Sequence, residues 1–337
     1  MPTGARLLET IIVLAMTRSP YRSAPLAATL ALTLSVALAA CGSDQTAPPA
    51  SSTAAAAGAS TTSSEPCPTA PVDVVVSVDQ WGDIVSELGG ACAKVKTILA
   101  GSSVDPHDYE PSPADAASFA GAKMVVVNGA DYDAWASKLA ESSAGAAPVV
   151  SASEVTKTAD GANPHLWYSP TAVTAVADAV TAELSKLDPQ AASYFGERRE
   201  ALTTTLKPYD DLIAKIKAGA SGKSYAATEG IFDYQAEAMG LVNKTPEGYQ
   251  RASANESDPS PADIAAFTTA LTDKQVDVLI YNTQTEGSIP EQIRAAAEQA
   301  GVPVVDVTET VPPGQTSFEA WQDGQLTDLA KALGVST

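Results

Sequence analysis

The sequence predicts an α/β protein of two lobes, each a mainly parallel sheet flanked by helices, joined by one long linking helix. Three observations carry this. Apolar, β-branched runs alternate with helix-period segments from Val72 onward; the same alternation resumes after Gly222; and between the two lies a charged amphipathic pattern too long for one compact lobe.

In order, Val72 to Val78 reads as a strand, and Trp81, Ile84, Val85 and Leu88 as one face of a helix that stops at Gly89-Gly90. Val95 to Leu99 is the next strand, Pro113 to Ala122 a helix, Met124 to Val127 a buried strand and Val149-Val150 a short fourth. Pro170 opens a helix with Val173, Val176, Val180, Leu184 and Leu187 at spacings of three and four, ending before Asp188-Pro189. From about 190 to 218 the pattern is helical again, with Pro208 as the expected kink. Beyond it Ser224 to Thr228, Val276 to Tyr281 and Val302 to Val307 read as strands, with helices around Phe232 to Met239, Pro261 to Leu271 and Pro290 to Ala300. The lobes are expected at 70–188 and 221–337, with the linking helix at 189–220. Ligands of such sheets bind beyond the carboxyl ends of the strands, so the loops after strands are the place to look.

Residues 1–40 read as a signal peptide: Arg18 and Arg22 precede an apolar run from Leu26 to Ala40, and either Met1 or Met16 could be the start. Leu38-Ala39-Ala40-Cys41 resembles a bacterial lipobox, which implies lipid attachment at Cys41 and a protein held on the extracytoplasmic face of the cell membrane. Residues 41–69 are Ser, Thr, Ala and Pro with almost no large apolar side chain, the composition of a flexible tether. Cys67 and Cys92 are the remaining cysteines, and outside the cytoplasm such a pair is expected to form a disulfide. Lys plus Arg number 20 against 40 Asp plus Glu, a net charge of -20, which argues against nucleic acid as a partner.

Only two histidines occur, each in a near-copy of one frame: Asp105-Pro106-His107-Asp108-Tyr109 and Asn163-Pro164-His165-Leu166-Trp167. Imidazole is the commonest side-chain metal ligand, and the preceding proline stiffens the backbone that aims it. The two are 58 residues apart, so only the tertiary fold can bring them together.

These segments, with Glu110-Pro111-Ser112 after the first, resemble the first two ligand loops of the cluster A-I, zinc/manganese-type solute-binding proteins of metal ABC importers, a likeness that covers about 70 to 337. The resemblance implies one divalent cation held between two lobes, with two further ligands from the second. Ala227-Thr228-Glu229-Gly230-Ile231-Phe232 matches the third ligand loop in its carboxylate form, pointing to Glu229. Val307-Thr308-Glu309-Thr310-Val311-Pro312 resembles the late acidic loop and offers Glu309, with Asp306 and Glu286 as alternatives. Two imidazoles and two carboxylates balance a dication and favour manganese, with zinc close behind; the stretch from Ala130 to Ala162 contains no His, unlike the His-rich loop of many zinc-specific members. The implied function is capture of the ion and its delivery to a cognate ABC permease by a monomeric, lipid-anchored protein that is not an enzyme. Two rivals are a surface zinc metallohydrolase, for which there is no HExxH and no third His, and an adhesin with a structural metal site, for which there is no specific motif.

Overall fold

The computed structural model describes residues 66–101, 106–107, 109–159, 161–285, 287–315 and 317–337, within one packing unit that spans 61–337. The expected signal peptide, the lipidation site Cys41, nearly all of the tether, Asp105, Asp108 and Glu286 lie outside the described residues.

The first sheet is built from β1 (Val72–Val78), β2 (Ala93–Leu99), β3 (Met124–Val127) and β4 (Val149–Ser151), all parallel, in the order β2-β1-β3-β4. β1 is buried from Val74 through Val78, which is why it reads as a continuous β-branched run rather than an alternating one. Helices α1 (Asp79–Gly89), α2 (Pro113–Gly121), α3 (Ala134–Ser143), α4 (Ala152–Thr156) and α5 (Pro170–Leu187) complete the lobe. α1 ends where Gly90 takes φ 49° and its N–H returns to the Ser86 carbonyl. Ser112-Pro113 opens α2 and Ser169-Pro170 opens α5. In each the serine hydroxyl caps a free N–H, and the proline fills a position that has no helical hydrogen bond to lose. A disulfide joins Cys67 to Cys92, tying the segment ahead of β1 to the turn after α1.

The expected linking helix is present with a bend. α6 (Ala192–Thr205) and α7 (Lys207–Ala220) meet at Leu206, because Pro208 has no N–H to continue the ladder. The second sheet then repeats the first: β5 (Ser224–Ala227), β6 (Val242–Asn243), β7 (Val278–Asn282) and β8 (Val304–Val307) run parallel in the order β6-β5-β7-β8. Helices α8 (Asp233–Ala238), α9 (Glu247–Ala254), α10 (Pro261–Thr272), α11 (Ser288–Ala300) and α12 (Phe318–Ala332) surround it. In both sheets the chain moves from the first strand to one neighbour and then back across to the other, which opens a crevice at the carboxyl ends.

Those carboxyl ends meet. Tyr168, ahead of α5, donates to the Thr308 carbonyl beyond β8 at 2.7 Å and packs its ring against Phe232 and Trp321 of the second half. One buried apolar cluster runs through both sheets, from Val74 to Val305, while a smaller one around Phe267, Leu271 and Ile293 lies within the second. All four tryptophans are buried, as packing residues rather than exposed platforms. No helix among the described residues is long and apolar enough to cross a membrane.

Candidate metal centre

The loop after β3 makes one wall of the site. Gly129, Ala130 and Asp131 all have positive φ (75°, 50° and 64°), and a side chain at Gly129 would collide with the Ser153 hydroxyl. The turn is held by the fully buried Asp133, whose carboxylate accepts from the Ser77 hydroxyl and from the N–H groups of Asn128 and Gly129. Burial pushes the Asp133 carboxyl up, and those hydrogen bonds oppose the shift. The turn thereby aims Tyr132 at the histidines: its ring lies edge-on to His107 at 4.8 Å and to His165 at 6.0 Å.

His107 follows β2. The Pro106 carbonyl ahead of it accepts from the Trp135 indole at 3.2 Å, and His107 Nδ1 lies 3.6 Å from the exposed Glu256 carboxylate. His165 precedes α5 and is buried, its ring against Trp167 at 5.3 Å. Its Nδ1 is 2.7 Å from Asn163 Oδ1, and the Pro164 carbonyl accepts from Asn128 Nδ2 at 2.8 Å. Glu309 lies beyond β8, fixed through its main chain: its N–H donates to Gln284 Oε1 at 2.6 Å and its carbonyl accepts from Gln80 Nε2 at 3.2 Å. Gln80 also donates to the Tyr132 hydroxyl at 2.7 Å, so one side chain links the two walls.

The structure brings His107, His165 and Glu309 together, with candidate ligand atoms all within 4.8 Å of one another. His165 Nε2 and Glu309 Oε1 face each other at 3.7 Å, and both are buried without a hydrogen-bond partner among the described residues. A lone pair on a neutral imidazole and a carboxylate oxygen form a costly pair unless a cation lies between them. Burial works to raise the Glu309 carboxyl, but the His165 ring and the Tyr132 hydroxyl beside it hold it below its ordinary 4.5. Burial, and after it the Glu309 charge, push the Tyr132 phenol well above its usual value.

Glu229 stands apart from this group. It follows β5 and lines, with Pro106 and Glu309, a cleft of about 550 Å³; its Oε2 accepts from Asn282 Nδ2 at 2.7 Å and from Thr285 Oγ1 at 2.6 Å. Asp306 is turned away. It lies within β8 between the buried Val305 and Val307, and Arg294 engages both of its oxygens on the exposed face at 2.5 and 3.3 Å. Tyr132, Gln80, Gln284 and Asn282 contribute to the site without having been expected from the sequence. Elsewhere, Asp83 and Glu87 of α1 and Glu319 of α12 form a second acidic group; burial, then the charges of Glu319 and Asp83, push Glu87 up to about 7.

Two matched parallel sheets with carboxyl ends closing over imidazoles and a carboxylate define a two-lobed solute-binding protein. The family model described as "ZnuA: Zinc-uptake complex component A periplasmic" matches residues 74–332, and the chain belongs to that family of metal ABC transporter solute-binding proteins, which are not enzymes. It is similar to the high-affinity zinc uptake system protein ZnuA of Bacillus subtilis, 24% identical over 58% of this chain and 66% of the relative. It is also similar to the manganese-binding lipoprotein MntA of the same organism, 27% identical over 68% of this chain and 76% of the relative. The match to the first spans just under two thirds of that protein's length. Among solved structures, FpvC of Pseudomonas aeruginosa in complex with Mn2+ shares the fold, with a TM-score of 0.66 and 24% identity over 78% of this chain and 98% of the other.

Proposed function

We propose that this protein captures a divalent transition metal, manganese in preference to zinc, between its two lobes and hands it to a cognate membrane ABC permease. The lipid anchor at Cys41 and the tether of 41–69 keep the monomer near that permease. His107 and His165 supply two imidazoles from the first lobe, and Glu309 and Glu229 two carboxylates from the second. The observation that carries this reading is the facing pair His165 Nε2 and Glu309 Oε1, buried 3.7 Å apart with no hydrogen-bond partner among the described residues.

The chemistry follows from the donor set. Two neutral imidazoles and two carboxylates cancel the charge of a dication, so a buried ion leaves no net charge. Oxygen donors that bind through one or both atoms let the coordination number rise above four, which suits manganese; zinc remains a competitor because it outranks manganese intrinsically at most sites. Glu229 enters through Oε1, while Asn282 and Thr285 keep its Oε2 in place. Gln80, Tyr132 and Gln284 hold the walls around the ion. Two relatives named for their metal support the class of cargo: one is a zinc uptake protein and another a manganese-binding lipoprotein.

The purified protein should bind about one divalent ion per chain. His107→Ala or Glu229→Ala should each weaken binding by roughly tenfold or more, since even losses one layer out from a metal cost about that much. Unchanged affinity in both variants, measured by chelator competition, would remove the proposed site.

A further inference from the structure

We infer that Asn163 is a positioning residue, tied to the second lobe, that sets which nitrogen of His165 carries the proton. This rests on the metal-site reading above, because it concerns how His165 presents its free nitrogen. The argument depends only on groups whose hydrogen-bonding role is fixed. The main-chain N–H of His165 can only donate, and it lies 3.0 Å from Asn163 Oδ1. The Gly230 carbonyl can only accept, and it lies 2.6 Å from Asn163 Nδ2. Turning the amide over would set N–H against N–H on one side and oxygen against oxygen on the other. The side-chain orientation of Asn163 is therefore determined.

The ring follows. His165 Nδ1 lies 2.7 Å from the same Oδ1, an atom that offers only lone pairs, so Nδ1 carries the hydrogen. In the neutral imidazole that leaves Nε2 bare, and Nε2 is the atom facing Glu309 Oε1. The carbonyl that starts this chain belongs to the residue after Glu229, in the second lobe, whereas the ring it acts on belongs to the first. Asn163 is held from both directions: the Tyr234 hydroxyl of α8 donates to its main-chain carbonyl at 2.7 Å, and Asn128 holds the next carbonyl, that of Pro164, at 2.8 Å. A purely local role, an asparagine closing a turn onto its own backbone, would need neither the Gly230 contact nor the ring.

The test reads the tautomer directly, with no metal present. Only two histidines occur, so a long-range proton–nitrogen spectrum of the ring-labelled, metal-free protein contains two ring sets, and His107→Ala assigns them. In its neutral form, recorded at alkaline pH, the His165 ring should carry its hydrogen on Nδ1. Asn163→Ala should shift it to a mixture rich in the Nε2–H form and weaken manganese binding about tenfold. Asn163→Leu, which keeps the volume but removes both the acceptor beside Nδ1 and the N–H to Gly230, should shift the ring in the same direction and keeps the test decisive where the alanine variant does not fold. A wild-type ring protonated on Nε2, or an Asn163→Ala ring that stays wholly Nδ1–H, would overturn the inference. Failure of the metal site is seen separately, as unchanged metal affinity in His165→Ala with the tautomer result intact.

Discussion

Replacing Glu309 with glutamine removes one negative charge and almost no volume, so it isolates what the carboxylate does. Its Oε1 is buried 3.7 Å from His165 Nε2. A dication seated between the two lies within that range of the carboxylate, and at about 4 Å and an effective dielectric of about 20 it attracts one negative charge by roughly 8 kcal/mol. The glutamine amide oxygen still coordinates, so about half of that should be lost, about 4 kcal/mol. At 1.4 kcal/mol per decade this is roughly a thousandfold in Kd. Chelator-competition titration with manganese and with zinc measures it. Thermal melting of the metal-free variant checks that the fold persists. Metal-free wild type carries a pH signature as well: the Glu309 carboxyl is held below its ordinary 4.5, so its contribution to stability is present above that value and is lost as the pH falls through the folded one. The variant lacks that acid-side loss. A folded Glu309→Gln protein that binds both metals within threefold of wild type would refute the reasoning.

Two further expectations concern residues outside the ligand group. Asp306→Asn breaks only an exposed pairing with Arg294; metal affinity should stay within about twofold and urea stability should fall by less than about 1 kcal/mol, whereas a large loss of affinity would make Asp306 a ligand after all. Glu87 is raised to about 7 by burial and by the nearby Glu319 and Asp83, so the folded state holds its proton through the window from about 4.5 to about 7 and stability declines as the pH rises through it. Glu87→Gln should therefore stabilise the protein at pH 8, by about 1 kcal/mol once solvent screening at this half-buried position is discounted, and should change little at pH 4; equal effects at both pH values in denaturant titrations would contradict this.

The strands other than β6 and the proline-initiated helices were legible because each is set by local chemistry: unbroken β-branched runs where both sheet faces are covered, and Ser-Pro pairs where a helix starts. α12 was not. Its buried face includes Gln322 and Gln325, and Gly324 interrupts it, so polar residues that find partners in the tertiary structure blur the apolar period. α3 is rich in alanine and serine, and β6 has only two residues, so neither has a periodic signature of its own. In the site, the shared Pro-His frame marked both histidines, whereas Asp306 stayed an alternative to Glu309 until the fold placed it on the outward face of β8. Tyr132 and Gln80 were invisible because their role arises from a left-handed turn and from contacts across the chain. Glu229 was legible as a residue of the cleft, but its distance from the other three depends on how the lobes are spaced, which no local pattern encodes.

The central claim is that both histidines bind one ion together with carboxylates. Pulsed electron paramagnetic resonance of the manganese-loaded protein counts imidazole nitrogens at the metal. Two should be seen in the wild type, and one in each of His107→Ala and His165→Ala. A wild-type spectrum with a single imidazole nitrogen, or with none, would contradict the account.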